Sequence, residues 1–531
     1  MSGLFTRFAI LLRNRKWILV DRKWWTLIVV SIAAFMLLID LTIITVVLPD
    51  IQSDLHATFS TVQWMIDAYA LTLAAFLLSA GSLADRYGRK RLFLIGLIVF
   101  TGGSVLCAAA RNAEMLTASR AVQGIGGAIL FATALSLLAA NFHGRDRGVA
   151  FGVWGAVTGI AAALGPVAGG LINLSWLGWR GVFWVNLPIG IAAIVICVLT
   201  TPESKAQQSA RLDWGGFLTL TAALVALVYG IIRAGEISWG DDIALGSLVA
   251  AVVLLAVFAV IESRVLRPMF DLKLLRIPTF LGGSVAAFAM NGSLYALMLY
   301  LVLYLQNALG YSALAAGTQL FVVSAASMVF SIVGGTLSSR GVPARWIIGV
   351  GLLLVAAGLF AMVGQGAHSP WTGLVAGFIL TGIGSGLVNP LLAETAVGVV
   401  HYQQSGMASG SNTTFRQIGS AVGTAVYGTI FAASLGDNLR TNLAGSPTLA
   451  ARADAIAGQV RGGTVGQTVA RFPAQFRNEV GTAIHGSFAT SMNTLFAVGG
   501  ALALVGAVLA VMLIRGKDFV QAAPEPLVAA A

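Results

Sequence analysis

Long apolar runs, separated by short polar and basic segments, dominate the chain from residue 26 to residue 514. A helix needs about 20 residues to cross the hydrocarbon core of a bilayer, and each run approaches or exceeds this length. The pattern therefore predicts an all-α polytopic membrane protein with fourteen transmembrane helices. The predicted spans are 26–49, 62–84, 92–110, 115–139, 149–172, 182–200, 215–235, 243–263, 279–305, 315–338, 345–364, 371–398, 407–435 and 488–514.

The composition excludes several classes of protein. Of 531 residues, 57% are apolar and 10% charged, and the mean hydropathy is +0.87. Soluble proteins carry roughly 25% charged residues, and disordered chains are less apolar. Cys107 and Cys197 lie inside apolar runs and the histidines are scattered, so we expect no metal and no cofactor. The one Gly-Lys pair, at 516–517, is not part of a phosphate-binding loop, which disfavours an ATP-driven pump.

The net charge is +11, and the basic residues lie in short clusters between the apolar runs. Such clusters determine the orientation of a membrane protein, so they do not indicate nucleic-acid binding here. With both termini in the cytoplasm, the short outer loops receive only Arg111, Arg180 and Arg233. Loop 436–487 would then lie outside. The basic clusters that would lie inside are 7–23, 86–91, 145–147, 205–211, 264–276, 340–345 and 515–517.

Glycine patterns recur at a displacement of 258 residues and relate spans 4 and 5 to spans 12 and 13. Repeats of the same orientation are typical of secondary transporters whose site lies between two halves. The recurring residues are Gly124, Gly126, Gly165 and Gly170, which reappear as Gly382, Gly384, Gly423 and Gly428. The predicted domains are a six-helix half (26–200), two inserted helices (215–263), a six-helix half with a long outer loop (279–514), and cytoplasmic tails (1–25 and 515–531). The first tail is either an interfacial helix or an orienting segment.

Five acidic or basic residues lie more than two residues inside the predicted spans, where a charge costs about 2.5–3.5 kcal/mol even on lenient scales. Asp40 lies about 20 Å from the inner end of its span, and Asp67 and Arg120 about 8 Å from the outer ends of theirs. We therefore expect these three residues to share one aqueous vestibule on the outer side. Asp40 is a candidate for proton coupling, because a buried carboxyl can alternate between protonated and ionised forms. A purely structural pair with Arg120 is the alternative.

Two further arrangements suggest substrate contacts. Asp67, with Trp64 and Tyr69, has the acidic and aromatic groups that bind lipophilic cations, although aromatic residues also form ordinary membrane belts. Glu394 lies one turn after Asn389 and Pro390, and we expect the proline to break the helix. Glu394 is either the partner of Arg416 in an internal ion pair or an acid that contacts substrate or protons.

Several stretches resemble patterns of the major facilitator superfamily, and in particular those of its fourteen-span drug:proton antiporters. The resemblance extends over about residues 26–514, although Thr45 stands where the family usually has asparagine. The matching stretches are 38–49, 81–91, 116–126, 159–170, 179–190 and 412–419.

The resemblance implies roles for three groups of residues. It implies that Arg120 takes part in proton coupling together with Asp40. It implies a conformational latch on the cytoplasmic side formed by Gly81, Asp85, Arg86, Gly88 and Arg89. A positive-inside cluster would explain the basic residues but not the glycines. Residues 335–340 resemble 81–86 at a displacement of 254, and Ser339 replaces the acid in this second copy. It also implies an antiporter motif, in which close helix packing blocks leak, formed by Gly159, Gly165, Pro166, Gly169 and Gly170.

Together these observations predict a transporter, not an enzyme: a monomer in a bacterial plasma membrane that exchanges protons for lipophilic, cationic drugs or antibiotics by alternating access. An exporter dedicated to one endogenous metabolite or lipid is the alternative. A polytopic membrane enzyme would need a cluster of catalytic acids or histidines on a loop. If Arg120 and Arg416 neutralise Asp40 and Glu394, Asp67 is the remaining carboxylate, which favours monovalent over divalent cations.

Overall fold

The computed structural model describes residues 22–142, 144–204, 213–265, 268, 270–366, 369–400, 405–461 and 465–519. Within these ranges the secondary structure is helical and contains no β-strand. Most of the predicted cytoplasmic tails, 1–25 and 515–531, lies outside the described residues.

Helices cover each of the fourteen predicted ranges, and we number the long ones α1 to α14. Helix α6 is preceded by two short helices, Gly178–Arg180 and Gly181–Trp184. Helix α9 continues through π-helical turns at Asn291–Tyr295 and Tyr304–Ala308, with Met298–Leu303 between them. The long helices are α1 Arg22–Asp54, α2 Phe59–Tyr87, α3 Arg89–Ala108, α4 Ala113–Asn141, α5 Gly144–Asn173, α6 Asn186–Thr200, α7 Trp214–Glu236, α8 Asp242–Arg264, α9 Pro278–Met290, α10 Ala313–Ser339, α11 Ala344–Ala361, α12 Val375–Val397, α13 Ser405–Asn442 and α14 Ala474–Leu513.

The all-α membrane architecture is confirmed. Among the described residues, twelve helices have the length and hydropathy of a membrane span. The two others, α2 and α5, include side chains that the structure does not describe. The number of fourteen crossings therefore remains a prediction.

The predicted outer loop 436–487 is largely helical. Helix α13 continues to Asn442 and α14 already begins at Ala474, beyond both predicted ends. Short helices lie between them, including Ala453–Arg461. The extension of α14 buries Val480 and Ile484 in one apolar cluster with residues of the short helices. The hydropathy pattern did not predict these helical segments, because only one face of each helix is apolar.

Corresponding helices pack in the same way in the first helix set (α1–α6) and in the second helix set (α9–α14). Helix α4 packs against α2 and α3, as α12 packs against α10 and α11, and the α1–α5 contact recurs as α9–α13. The two sets meet along two seams, α5–α10 and α2–α13. The inserted helix α7 packs against α2 and α13, and α8 packs against α7.

Repeated glycines make equivalent contacts in the two sets. A Cβ added at Gly124 would collide with the backbone carbonyl of Tyr69 on α2, and one added at Gly382 would collide with that of Val323 on α10. Both helix pairs therefore approach to backbone contact, which a larger residue would prevent. The two glycines, which are 258 residues apart, therefore have the same packing role in the two helix sets.

A second repeated pair of glycines lies at the seams. A Cβ at Gly170 would strike the backbone of Leu314 across the α5–α10 seam, and one at Gly428 would strike the Gln63 amide across the α2–α13 seam. Both seams are thus closed near the end of the bundle where α1 meets α2, here called the α1–α2 face. The opposite end, where α2 meets α3, is the α2–α3 face.

Candidate functional site

Asp40 and Arg120 form a buried ion pair in the first helix set. Arg120 Nη1 lies 2.6 Å from Asp40 Oδ2, and each side chain is only 1% exposed. The guanidinium lies 4.2 Å from the ring centroid of Tyr69, and its Nε donates to the Met65 carbonyl at 3.4 Å. Charges buried this deeply persist only when they are paired and hydrogen-bonded, and this pair satisfies both conditions.

Three neutral side chains complete the surroundings of the Asp40 carboxylate. Gln123 Nε2 donates to Asp40 Oδ1 at 2.8 Å, and Asn186 Nδ2 donates to the same oxygen at 3.1 Å. Asn186 also donates to Ser104 Oγ at 2.9 Å, and Gln123 Oε1 accepts from Arg120 Nη1 at 2.7 Å. The carboxylate therefore connects α1, α4 and α6 directly and α3 through Ser104, and a change in its charge would alter contacts among four helices.

The sequence patterns did not indicate a role for Gln123, Asn186 or Ser104. Gln123 and Asn186 lie within stretches that resemble the family. A polar side chain within an apolar span was the feature by which a role for them could have been predicted. An amide inside a transmembrane helix needs partners, because lipid offers none. Which partner each amide contacts depends on the rotation of its helix.

Asp67 is fully buried, and neither of its carboxylate oxygens has a hydrogen-bond partner among the described residues. One turn earlier on α2, Gln63 Nε2 donates to Tyr300 Oη at 3.0 Å and to the Thr424 carbonyl at 3.2 Å. Tyr300 Oη itself donates to the Thr424 carbonyl at 2.6 Å. Gln63 therefore bridges the two helix sets on the α1–α2 side of Asp67.

A cavity of about 670 Å³ opens at the α1–α2 face. Its lining includes Gln63, His56 and Arg471, the last contributed by the 436–487 segment. The three ionisable residues predicted to share an outer aqueous vestibule are at most 1% exposed, so that prediction is wrong for this conformation. Asp40 and its arginine face the interior of the first set, and the Gln63 contact separates Asp67 from the cavity.

The structure does not bring Asp67, Trp64 and Tyr69 into one site. The Trp64 ring lies 6.4 Å from that of Tyr229 on α7, whereas the Tyr69 ring lies beneath Arg120. Successive residues of a helix are rotated by roughly 100°, so Tyr69 lies roughly 160° from Asp67 and roughly 140° from Trp64 around α2 and points away from both. A short sequence distance did not mean a shared surface here.

Glu394 and Arg416 are not paired in the part of the chain that the structure describes, contrary to the prediction. Both carboxylate oxygens of Glu394 accept from Ser338 Oγ at 2.8 Å. Arg416 instead donates to the Asn389 carbonyl at 3.2 Å. Helix α12 also continues through Pro390, where we expected a break. Residues 389 and 394 are separated by about 140° around this unbroken helix, so they face different neighbours.

The predicted latch is described only in part. The side chains of Asp85 and Arg86 lie outside the described residues. Gly81 has open space around it, and the Arg89 amide donates to the Ser204 carbonyl at 2.9 Å. The latch function therefore remains a prediction.

Glu203, which the sequence analysis missed, caps the start of α3. Its carboxylate accepts from the backbone amides of Lys90 at 3.0 Å and Arg91 at 3.2 Å. Acidic groups stabilise the positive end of a helix in this way. Gly88 precedes α3 with φ +113°, and a Cβ there would meet the Glu203 carboxylate. The glycine is thus required both by the backbone conformation and by this cap.

The predicted antiporter motif lies where α5 contacts other helices closely. Gly165 and Gly169 face α1 closely enough that a Cβ at either position would collide with it. The Pro166 carbonyl lies against Gly317 of α10, across the seam between the sets. Gly159 lies outside the residues whose surroundings are described. The close packing is observed, and its role in blocking leak remains a prediction.

Two helix sets joined along two seams, with a buried ion pair in one of them, define the architecture of a secondary transporter. Residues 30–424 match the Major Facilitator Superfamily profile. The chain therefore belongs to this superfamily, and it is a transporter rather than an enzyme.

Relatives with assigned functions are resistance and export proteins. The chain is 33% identical over 514 residues to the tetracenomycin C resistance and export protein of Streptomyces glaucescens, covering 95% of this chain and 94% of the relative. It is 35% identical to multidrug resistance protein Stp of Mycobacterium tuberculosis, covering 79% and 78%. It is 34% identical to puromycin resistance protein pur8 of Streptomyces alboniger, covering 77% and 82%.

Solved structures share the fold at low sequence identity. A bacterial homolog of the human lysosomal transporter Spinster, in an inward-facing and occupied conformation, matches with a TM-score of 0.66 at 19% identity, covering 94% of this chain and 98% of that one. A D-xylose–proton symporter matches with a TM-score of 0.61 at 12% identity, covering 93% and 98%.

Proposed function

We propose that this protein exports lipophilic drugs or antibiotics across a bacterial plasma membrane in exchange for protons. The relatives named for resistance to tetracenomycin C, to multiple drugs and to puromycin support the direction of transport and the kind of substrate. The observation that carries proton coupling is the buried Asp40 carboxylate, held by Arg120, Gln123 and Asn186.

Protonation of Asp40 would remove the negative charge that Arg120 pairs with and that two amides donate to. The four helices joined by the carboxylate would then lose much of the interaction that holds them in this arrangement. A proton that binds one conformation more tightly than another shifts the population between them. Coupling follows if the two conformations open to opposite sides.

Reconstituted proteoliposomes with an imposed pH gradient test this proposal. We expect Asp40→Asn to bind a fluorescent drug but to lose gradient-driven uphill transport, because its side chain cannot exchange a proton. Asp50→Asn is the matched control: Asp50 lies on the same helix and accepts from Asn173 at 2.7 Å, away from the Arg120 network. Uphill transport by Asp40→Asn at the wild-type rate would refute the role of Asp40.

Asp67 is the proposed contact for a cationic substrate, because its buried carboxylate lacks a partner among the described residues. We expect Asp67→Asn to lower resistance to monovalent lipophilic cations several-fold and to spare neutral compounds, and we expect wild type to protect poorly against dications. Growth inhibition with matched mono- and dications measures both effects, with Asp50→Asn as control. An equal loss for neutral and cationic compounds would contradict the charge argument.

An exporter dedicated to one endogenous compound remains the second candidate. Several relatives are named for single compounds, among them the tetracenomycin C and puromycin proteins and a probable actinorhodin transporter of Streptomyces coelicolor, which is 35% identical over 430 residues. The same growth panel distinguishes the candidates. Protection against chemically unrelated compounds would favour multidrug export, and protection against a single scaffold would favour the dedicated exporter.

A further inference from the structure

Arg416 carries a charge that no acidic side chain balances among the described residues. Its Nε, Nη1 and Nη2 groups donate to Asn412 Oδ1 at 3.4 Å, to Asn389 Oδ1 at 3.5 Å and to the Asn389 carbonyl at 3.2 Å. These acceptors are neutral and the bonds are long. A guanidinium has five N–H donors and bonds a carboxylate at about 2.7–2.9 Å. Much of the binding capacity of Arg416 is therefore unused.

Polar groups from three mutually packed helices converge around this arginine. Asn389 of α12 donates from Nδ2 to Tyr295 Oη of α9 at 3.0 Å, and it also accepts from Arg416 of α13. Tyr295 ends a π-helical turn and is 38% exposed, although its neighbours along α9 are mostly buried. Such turns frequently mark functional sites. The cluster therefore has an exposed side at Tyr295.

The cluster lies on the helix that forms one side of the α2–α13 seam. Thr414 Oγ1 donates to the Ala74 carbonyl at 3.3 Å, and further along α13 the Gln63 amide crosses the same seam. Because the two helices run antiparallel, this register places Arg416 roughly opposite position 72 of α2. Asp67 is then displaced from it by about 8 Å along the bundle axis. Arg416 is therefore close to Asp67 in level, while its side chain points toward Asn389 and Tyr295 rather than across the seam.

We propose that Arg416, Asn389 and Tyr295 form a subsite for an acidic oxygen of the exported compound: a carboxylate, an ionised phenol or an enolate. The substrate would supply the negative charge that the protein lacks there, since an unbalanced charge at membrane depth is costly. This inference rests on the proposed export function and names its substrate class. The class consists of lipophilic compounds with an acidic oxygen, with or without a basic centre for Asp67.

Equilibrium binding of three fluorescent probes to the purified full-length protein tests the subsite. The probes are fluorescein as the anion, ethidium as the cation and Nile red as the neutral compound. We expect Arg416→Gln to weaken fluorescein binding at least tenfold, equivalent to about 1.4 kcal/mol, while ethidium and Nile red change less than about twofold. Arg416→Lys should retain most of the fluorescein affinity, because it keeps the charge. Arg345→Gln, at the start of α11, is the control and should leave all three probes unchanged.

The selectivity of the loss separates a binding role from a structural one. Unchanged fluorescein binding in Arg416→Gln, or an equal loss of all three probes, would overturn the proposal. If Arg416→Gln fails to fold, Tyr295→Phe decides: we expect about threefold weaker binding of fluorescein alone, and no selective loss would overturn the subsite. Failure of the export function has a different signature, since wild type would then bind the probes but move none of them in proteoliposomes.

Discussion

The bridge formed by Gln63 should control opening of the bundle at its α1–α2 face. Its side-chain amide makes two hydrogen bonds to the second helix set, one to Tyr300 in the continuation of α9 and one to the Thr424 carbonyl of α13. Gln63→Ala removes both bonds, whereas the bond between Tyr300 and Thr424 persists within the second set. The substitution therefore weakens the closed arrangement without disturbing the internal contacts of either set.

The structure allows an estimate of the effect. A buried hydrogen bond contributes about 0.5–1.5 kcal/mol net, so the loss of two destabilises the closed face by about 1–3 kcal/mol. At 1.4 kcal/mol per factor of ten, the ratio of open to closed molecules rises between about fivefold and 150-fold. A face that is closed in most wild-type molecules would then be open in a measurable fraction.

Double electron–electron resonance between spin labels on the two helix sets measures this shift. Suitable labelling positions are Glu114 at the start of α4 and Gly445 after α13, which are both exposed at this face. The buried Cys107 and Cys197 are replaced by alanine in all proteins. We expect Gln63→Ala to populate longer distances that are rare in wild type.

Tyr427→Phe is the matched control for a general loss of folding stability. Its hydroxyl donates to the Ser293 carbonyl at 3.2 Å, a bond that lies entirely within the second set. This variant loses one buried hydrogen bond, against two in Gln63→Ala, and should retain the wild-type distances. An unchanged distribution in Gln63→Ala, or the same change in both variants, would refute the assignment of Gln63 as a bridge.

Two further predictions concern the other seam and the orientation of the chain. Gly317→Ala should lower transport at least fivefold, because the added methyl group strikes the Pro166 carbonyl and overpacking typically costs about 1–3 kcal/mol. Gly335→Ala in the same helix meets open space and should transport within twofold of wild type in the same proteoliposomes. Cysteines introduced at Ser204 and Ser446 should react with a membrane-impermeant maleimide only from inside and only from outside, respectively. Labelling of position 204 in intact cells would contradict the proposed orientation.

The sequence alone was sufficient to predict the class of protein and the positions of its helices. An apolar run of span length has one stable structure in lipid, a helix, because each backbone group must be paired within the segment. The repeat was also readable, since Gly124 and Gly382 both allow backbone contact that a side chain would prevent. Among the described residues, Asp40, Asp67, Arg120 and Glu262 are the buried acidic or basic side chains, and the first three followed from the same rule, because a charge deep in an apolar span stands out.

The tertiary structure decided which of those residues meet. Asp40 pairs with Arg120, but Asn186 joins them from a third helix, and no sequence spacing indicated that contact. Trp64 and Tyr69 diverge although they are only five residues apart: the first contacts Tyr229 on α7, and the second lies against Arg120.

The physical reason is that a transmembrane helix is apolar around most of its circumference, so its pattern predicts its length well and its rotation poorly. Partners across helices depend on that rotation and on the axial register. In this chain, close glycine contacts such as those of Gly124 and Gly165 help to set both. The segment 436–487 shows the converse: its helices are short and apolar on one face only, and packing against α14 rather than hydropathy determines where they lie.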